Sequence, residues 1–329
     1  MSMVAPDPLV NAAASGLKAV VVATPSDVRK HLVPARAAGK RIGLVPTMGA
    51  LHAGHASLIT SCRKDCDVLV VSIFVNPTQF GPNEDLDRYP RTFAEDCRLC
   101  DELGVDLIYA PTTPAMYPPG FATTVRVEGL SSVWEGASRP THFQGVATVV
   151  LKLFQQICPD VAWFGLKDFQ QTVILSRMVT DLDLGVELKF GPTIREPDGL
   201  ALSSRNRLLS PEDRAAAPVL YRALKRAAEA VSQGEEEVDR VRQILWDTLN
   251  SEPRGRVDYA EILDPVELTR LEGRFQGRPA VAALAVRFGE VRLIDNHPLT
   301  PASPRSREPR DPITAQFMGD DEHFRAGEG

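Results

Sequence analysis

The chain has 329 residues, 43% of them apolar and 24% charged, with a formal net charge of −6. That length exceeds the usual size of a single core, so two domains are expected, and the composition is ordinary for a globular protein. The acidic balance excludes wholesale nucleic-acid binding while leaving room for a small basic pocket. There is no apolar run of membrane-spanning length and no basic-then-apolar leader, which points to a cytoplasmic protein with no membrane partner.

Residues 1–17 open with an Ala-, Pro- and Ser-rich stretch lacking any sustained period and read as a flexible leader. Short apolar runs follow at residues 19–23, 41–46, 68–74, 106–110 and 161–164. Helical stretches around 26–38, 55–65, 92–103, 143–157 and 168–181 alternate with them. Strands alternating with helices predict an α/β domain over 18–191 with a Rossmann-like parallel sheet, whose ligands bind at the carboxyl ends of the strands. Beyond residue 191 the pattern changes. Ser210-Pro211-Glu212-Asp213 caps a long predicted helix, and a second helix is expected at about 236–250. Strand-like runs at 257–263, 281–288 and 291–295 complete a smaller C-terminal α+β lid domain over 192–298. The Pro-, Ser- and Arg-rich stretch at 299–329 reads as a disordered tail. No internal repeat recurs at a fixed period.

Cysteines at 62, 66, 97, 100 and 158 are odd in number, which argues against a disulfide framework. The Cys62/Cys66 and Cys97/Cys100 pairs fall inside predicted helices without the Gly-rich turns of a zinc ribbon, and they read as packing thiols.

The stretch Pro46-Thr47-Met48-Gly49-Ala50-Leu51-His52-Ala53-Gly54-His55 joins a buried strand to a helix. Its two histidines are three apart on the opening turn and so share a face. A helix start offers unpaired N–H groups and a partial positive charge, both favourable to phosphate, and Gly54 lacks a side chain that would hold a nucleotide away. Neither G-x-x-x-x-G-K-[ST] nor G-x-G-x-x-G occurs, which favours adenylyl transfer over γ-phosphoryl transfer and argues against a dinucleotide.

With its flanks, this ten-residue motif resembles the pantothenate synthetase family within the HxGH nucleotidyltransferase superfamily. Further matching segments are Phe74-Val75-Asn76-Pro77-Thr78-Gln79-Phe80, Tyr89-Pro90-Arg91-Thr92, Arg139-Pro140-Thr141-His142-Phe143, Gly165-Leu166-Lys167-Asp168-Phe169-Gln170-Gln171 and Ser203-Ser204-Arg205-Asn206. They keep the family's order over roughly residues 18–297. The resemblance implies ATP-dependent condensation of pantoate with β-alanine to pantothenate through a pantoyl adenylate, releasing AMP and pyrophosphate. It also implies Mg2+ accompanying ATP, and a homodimer.

Residue by residue, the resemblance implies that His52, His55 and Lys167 are catalytic, with His52 and Lys167 meeting charge on phosphate. Pro46, Thr47, Met48, Gly54, His55, Gly165, Lys167, Asp168, Ile194 and Leu202 would line the ATP site. Ser203, Ser204 and Arg205 would close on the triphosphate as counterparts of the synthetase KMSKS loop. Gln79 and Gln171 would hold pantoate, since an amide both donates and accepts. Asp96 would be the metal-side acid. Leu166 and Phe169 stand where the family usually has Glu and Tyr, and Leu202 where it often has Met. The loss of a Glu beside Lys167 removes an expected ion-pair partner. Two alternatives stand beside this reading: another HxGH adenylyltransferase, and a catalytically silent nucleotide-binding relative.

Overall fold

The structure is a computed structural model that describes residues 16–82 and 84–301. The folded chain forms two compact units. The first runs to Phe164 and resumes at Ile174–Gly191, while the second comprises Gly165–Val173 and the chain from Pro192. The second unit therefore includes residues 165–173, a stretch that strand–helix alternation assigns to the first domain.

The first unit is built on a six-stranded sheet in the order β1-β4-β3-β2-β5-β6. Its strands are β1 (Val20–Val22), β2 (Ile42–Thr47), β3 (Val68–Ile73), β4 (Leu107–Tyr109), β5 (Val161–Gly165) and β6 (Glu187–Gly191). The pairs β1/β4, β4/β3, β3/β2 and β2/β5 are all parallel. Near-continuous apolar runs such as Val68–Ile73 make strands covered on both faces, and Leu69, Val70 and Val71 are completely buried. Strand β6 has no counterpart in the expected elements; Glu187-Leu188-Lys189-Phe190-Gly191 buries only its last two residues and lacks an apolar run.

Helices α1 (Pro25–Ala37), α2 (Ala53–Lys64), α3 (Phe93–Glu102), α4 (His142–Ile157) and α5 (Phe169–Asp181) connect these strands, the first turns of α5 belonging to the second unit. Thr24 caps α1 by accepting from the Asp27 N–H, with Pro25 at the first helical position. One core cluster joins Val45, Leu69, Val71 and Ile108 of the strands to Ile59 and Cys62 of α2 and to Cys97 and Cys100 of α3. Burial pushes the Cys97 and Cys100 thiols up to about 12, so they behave as small apolar side chains. Leu17, assigned to the leader by composition, packs against this cluster. Leader residues 1–15 lie outside the described residues.

The second unit carries an antiparallel sheet β7-β8-β9 (Gly255–Leu263, Ala280–Phe288 and Val291–Leu299). The long helix expected after Ser210 is two helices, α6 (Pro211–Ala216) and α7 (Val219–Ser232), because Pro218 has no N–H to continue the ladder. Together with α8 (Val238–Asn250), α7 buries Leu220, Leu224, Val241 and Leu245 against Ala282, Leu284 and Val286 of β8. Strand β9 runs four residues past its expected end and buries Leu299, so the tail cannot begin there; residues 302–329 lie outside the described residues. Among the described residues no helix is long and apolar enough to cross a membrane.

Candidate active site

In the first unit the histidine turn follows directly from the carboxyl end of β2. Pro46 and Thr47 are its last two residues, and the Thr47 hydroxyl donates to the Ser72 carbonyl at 2.7 Å while accepting from the Gly49 N–H. The chain then turns through positive φ at Gly49 (79°) and Ala50 (50°). A left-handed alanine costs roughly 1–2 kcal/mol and has to be held. Asp96, on α3, holds it: its carboxylate accepts from the Ala50 N–H at 2.9 Å, the Leu51 N–H at 2.8 Å and the Thr92 hydroxyl at 3.1 Å. Burial raises the Asp96 carboxyl above its ordinary range, and these donors work against that rise.

Both Asp96 oxygens accept from the loop that the residue supports, a structural role beside the metal-side role that the resemblance implies.

His52 is the N-cap of α2. Its Nδ1 accepts from the Gly54 N–H at 3.1 Å, and the His55 Nδ1 accepts from the His52 N–H at 3.4 Å, a reciprocal capping box made by two imidazoles. The rings lie 4.2 Å apart, centroid to centroid. With Nδ1 an acceptor in each ring, the neutral imidazole carries its proton on Nε2, and both rings become N–H donors at a helix N-terminus. A Cβ at Gly54 would stand 2.9 Å from His52 Cε1, so the glycine also makes space for the His52 ring.

Gln79 ends the short 3-10 turn Pro77–Gln79 after β3 and is buried. The carboxamide oxygen of Asn76 accepts from the Tyr117 hydroxyl at 2.8 Å and the Thr78 hydroxyl at 2.9 Å. Its nitrogen must therefore be the group that donates to Gln79 Oε1 at 3.1 Å and to the Gly145 carbonyl at 3.2 Å. This fixes the Gln79 amide in turn, directing Nε2 at the Met48 sulfur 3.0 Å away, a weak acceptor. The Gln79 carbonyl faces His142 Nδ1 at 2.9 Å and accepts from Arg139 at 3.3 Å, while Arg139 makes a two-pronged ion pair with Glu84. Burial, helped by the Arg139 charge, lowers the His142 pKa to about 4. Burial would raise the Glu84 carboxyl, but the Arg139 hydrogen bond and charge outweigh it and hold the group below its ordinary value.

The other candidate residues belong to the second unit. Gly165 caps the 3-10 turn Leu166–Asp168, with Leu166 buried and Lys167 half-buried; the Lys167 ammonium lies 3.7 Å from Asp168. Gln171, on the opening turn of α5, is half-buried. Residues 194–202 form a hairpin in which the Leu202 N–H donates to the Ile194 carbonyl at 2.9 Å, so these two ATP-site candidates are partners across its open end. The hairpin feeds the 3-10 turn Ser204–Leu208, which Ser203 caps by accepting from the Arg205 N–H. Asn206 donates to the Ala201 carbonyl and to Glu196, bracing that turn.

The pantoate-beta-alanine ligase family profile matches residues 20–298. The chain belongs to this family. It is 53% identical to the pantothenate synthetase of Chloroflexus aurantiacus over 80% of this chain and 93% of that one. It is 50% identical to that of Pelotomaculum thermopropionicum over 84% and 98%. The solved pantothenate synthetase of Thermus thermophilus matches with a TM-score of 0.80 at 49% identity, covering 84% of this chain and 98% of that one. A pantoate-beta-alanine ligase of Francisella tularensis, complexed with beta-gamma ATP and beta-alanine, matches with a TM-score of 0.70 at 32% identity, over 84% and 97%.

Within this family frame, the first unit holds His52 and His55 in one hydrogen-bonded pair and Met48 and Gln79 in another, and the second carries Lys167, Asp168 and Gln171 within residues 167–171. Sequence reasoning assigned no role to Asn76, Glu84, Arg139 or His142, although the motifs containing Asn76, Arg139 and His142 were in view. The signal was the combination of a buried amide with a neighbouring Arg and His, but partners 55 to 69 residues apart leave no periodic trace.

Proposed function

We propose that this chain joins pantoate to β-alanine using ATP, through a pantoyl adenylate. The observation that carries the reading is the pair of Nε2 donors fixed at the start of α2 by the capping box, a geometry suited to phosphate charge. A pantoate carboxylate oxygen attacks the α-phosphorus, forming the acyl–phosphate bond as the α,β-phosphoanhydride breaks and pyrophosphate leaves. The β-alanine amine then attacks the acyl carbon, the acyl–O bond to AMP breaks, and the amine nitrogen gives up a proton.

His52 and His55 donate to phosphate oxygens, and Lys167 offsets the charge of the departing pyrophosphate. Gln79 presents an amide N–H that gains more from a pantoate oxygen than from the Met48 sulfur. Gln171 is the second pantoate ligand, and Ser203, Ser204 and Arg205 close on the triphosphate. Mg2+ accompanying ATP would neutralise charge on the phosphates, with Asp96 the candidate side chain beside it. Five free cysteines suit a cytoplasmic location, and sedimentation velocity tests the homodimer that the family resemblance implies.

The buried Leu166 side chain weighs against the silent-relative alternative, since a residue in the core removes nothing from the groups offered to substrate. The test is exchange of labelled pyrophosphate into ATP, expected with pantoate and without β-alanine. Exchange that needs β-alanine would overturn the stepwise reaction, and ADP as product would overturn adenylyl transfer.

A further inference from the structure

Strand β9 carries two adjacent polar residues, Asp295 and Asn296, at 3% and 6% exposure in an otherwise largely apolar setting. Burying such groups costs free energy that an apolar residue would not, so their partners reveal what is gained. The Asn296 carboxamide nitrogen donates to the Leu166 carbonyl at 2.9 Å and to the Lys167 carbonyl at 2.9 Å. Two carbonyl acceptors admit only the NH2 end, which fixes the orientation of the amide. Asp295 receives both arms of Arg195, at 2.6 and 3.0 Å, and also accepts from the Asn296 N–H at 2.9 Å. Arg195 donates to the Gly199 carbonyl at 3.1 Å and stacks over the Tyr221 ring at 4.0 Å. Consecutive residues of one strand thus grip the turn bearing Lys167 and the hairpin that leads into Ser203-Ser204-Arg205.

We infer that Asn296 is a positioning residue for the adenylation step, acting through Lys167 by fixing the backbone from which its side chain springs. This inference rests on the phosphate-side role of Lys167 proposed above. An ammonium on a four-carbon stem has many rotamers, and anchoring its own carbonyl and the preceding one removes the backbone share of that freedom. Asp295 and Arg195 tie the same strand to the hairpin, so the lysine turn and the hairpin are held by adjacent residues of one strand. A tie serving stability alone would lower the melting temperature and leave the kinetics of the folded enzyme unchanged.

The test uses the full chain with Asn296→Ala and Asn296→Asp, each also combined with Lys167→Ala, assayed by pantoate-dependent pyrophosphate exchange alongside thermal melts followed by circular dichroism. The Asp variant keeps the side-chain shape and places a carboxylate oxygen where the NH2 stood. In the folded single variants kcat is expected to fall by about tenfold or more with KM for pantoate within about twofold, since small misplacements of a reacting group have effects of that size. In the Lys167→Ala background the same substitutions are expected to change kcat by less than about twofold, because the group they position is gone. Full effects in both backgrounds would overturn the inference alone, as would unchanged kcat in folded single variants, or loss of folding in both. A Lys167→Ala enzyme with wild-type kcat would instead overturn the reading on which the inference rests.

Discussion

The His142–Arg139–Glu84 network makes stability fall with acid in a window that can be assigned to one ring. The His142 pKa is lowered to about 4 from the usual 6.5, by burial first and the Arg139 charge second. Between these values the unfolded chain binds a proton that the folded chain does not, so folding free energy is lost as pH falls from about 6.5 towards 4. From pH 7 to pH 5 the linkage amounts to about 2 kcal/mol, and solvent reaching the edge of this partly buried ring reduces it to about 1–2 kcal/mol. Glu84 contributes in the same direction but at lower pH: its depressed pKa makes its stabilisation present above about 4.5 and lost below, so measurements at pH 5 and higher leave it aside. The comparison is wild type against His142→Gln, whose amide can still donate to the Gln79 carbonyl but does not titrate. Urea unfolding at pH 5, 6 and 7, followed by circular dichroism, should show wild type losing about 1–2 kcal/mol more than the variant over that range. Parallel pH profiles for the two proteins would refute the burial of a neutral imidazole at this position.

His52→Asn retains an N-cap acceptor and removes the imidazole, so melting should be nearly unchanged while kcat drops on the order of a hundredfold in the exchange assay. Lys167→Ala should lower kcat by a similar factor, read in the same assay. Gly145→Ala would put a Cβ 2.5 Å from the Thr78 carbonyl oxygen and 2.7 Å from the Gln79 nitrogen, both backbone atoms. It is expected to cost about 1–3 kcal/mol in chemical denaturation and to raise KM for pantoate more than KM for ATP. Leu166→Glu would place a carboxylate where the native side chain is 4% exposed. A loss on the order of 2–4 kcal/mol in the same denaturation assay is expected, rather than a better oriented Lys167.

The strand–turn–helix around Pro46–His55 was legible because each of its signals is local: an apolar run, a glycine turn, and two histidines one helical turn apart. The same holds for β3, whose consecutive apolar residues are covered on both faces, and for the cap at Ser210, which accepts from the Asp213 N–H. The break at Pro218 was legible in principle, since a proline without an N–H stood inside the expected helix. What stayed hidden depends on distant partners. Asn296 meets the Leu166 carbonyl across 130 residues, and Asp96 meets the Leu51 N–H across 45, pairings that no hydropathy period encodes. The clash that a Gly54 side chain would make with the His52 ring is hidden for the same reason, because no sequence pattern says how a neighbouring imidazole is turned. The same dependence on distant partners explains the placement of residues 165–173, where the helical pattern of α5 is continuous but its opening turns belong to the second unit.

Asp96 separates loop support from metal binding by experiment. Asp96→Asn keeps the side-chain volume but leaves one oxygen to serve the Ala50 and Leu51 N–H groups, and turns an NH2 towards a backbone donor. A buried N–H without an acceptor costs about 1–3 kcal/mol, and the released strain of the left-handed Ala50 offsets part of it by letting the turn relax. Relaxation moves His52, whose N–H and ring both take part in the capping box, away from its place at the start of α2. The expected result is a lower melting temperature together with a kcat reduced by about tenfold or more, while the Mg2+ concentration giving half-maximal exchange shifts less than about twofold. A metal ligand would give the opposite pattern, with activity restored at high Mg2+ and melting unchanged. Recovery of wild-type kcat at saturating Mg2+ would therefore assign Asp96 to the metal as well as to the turn.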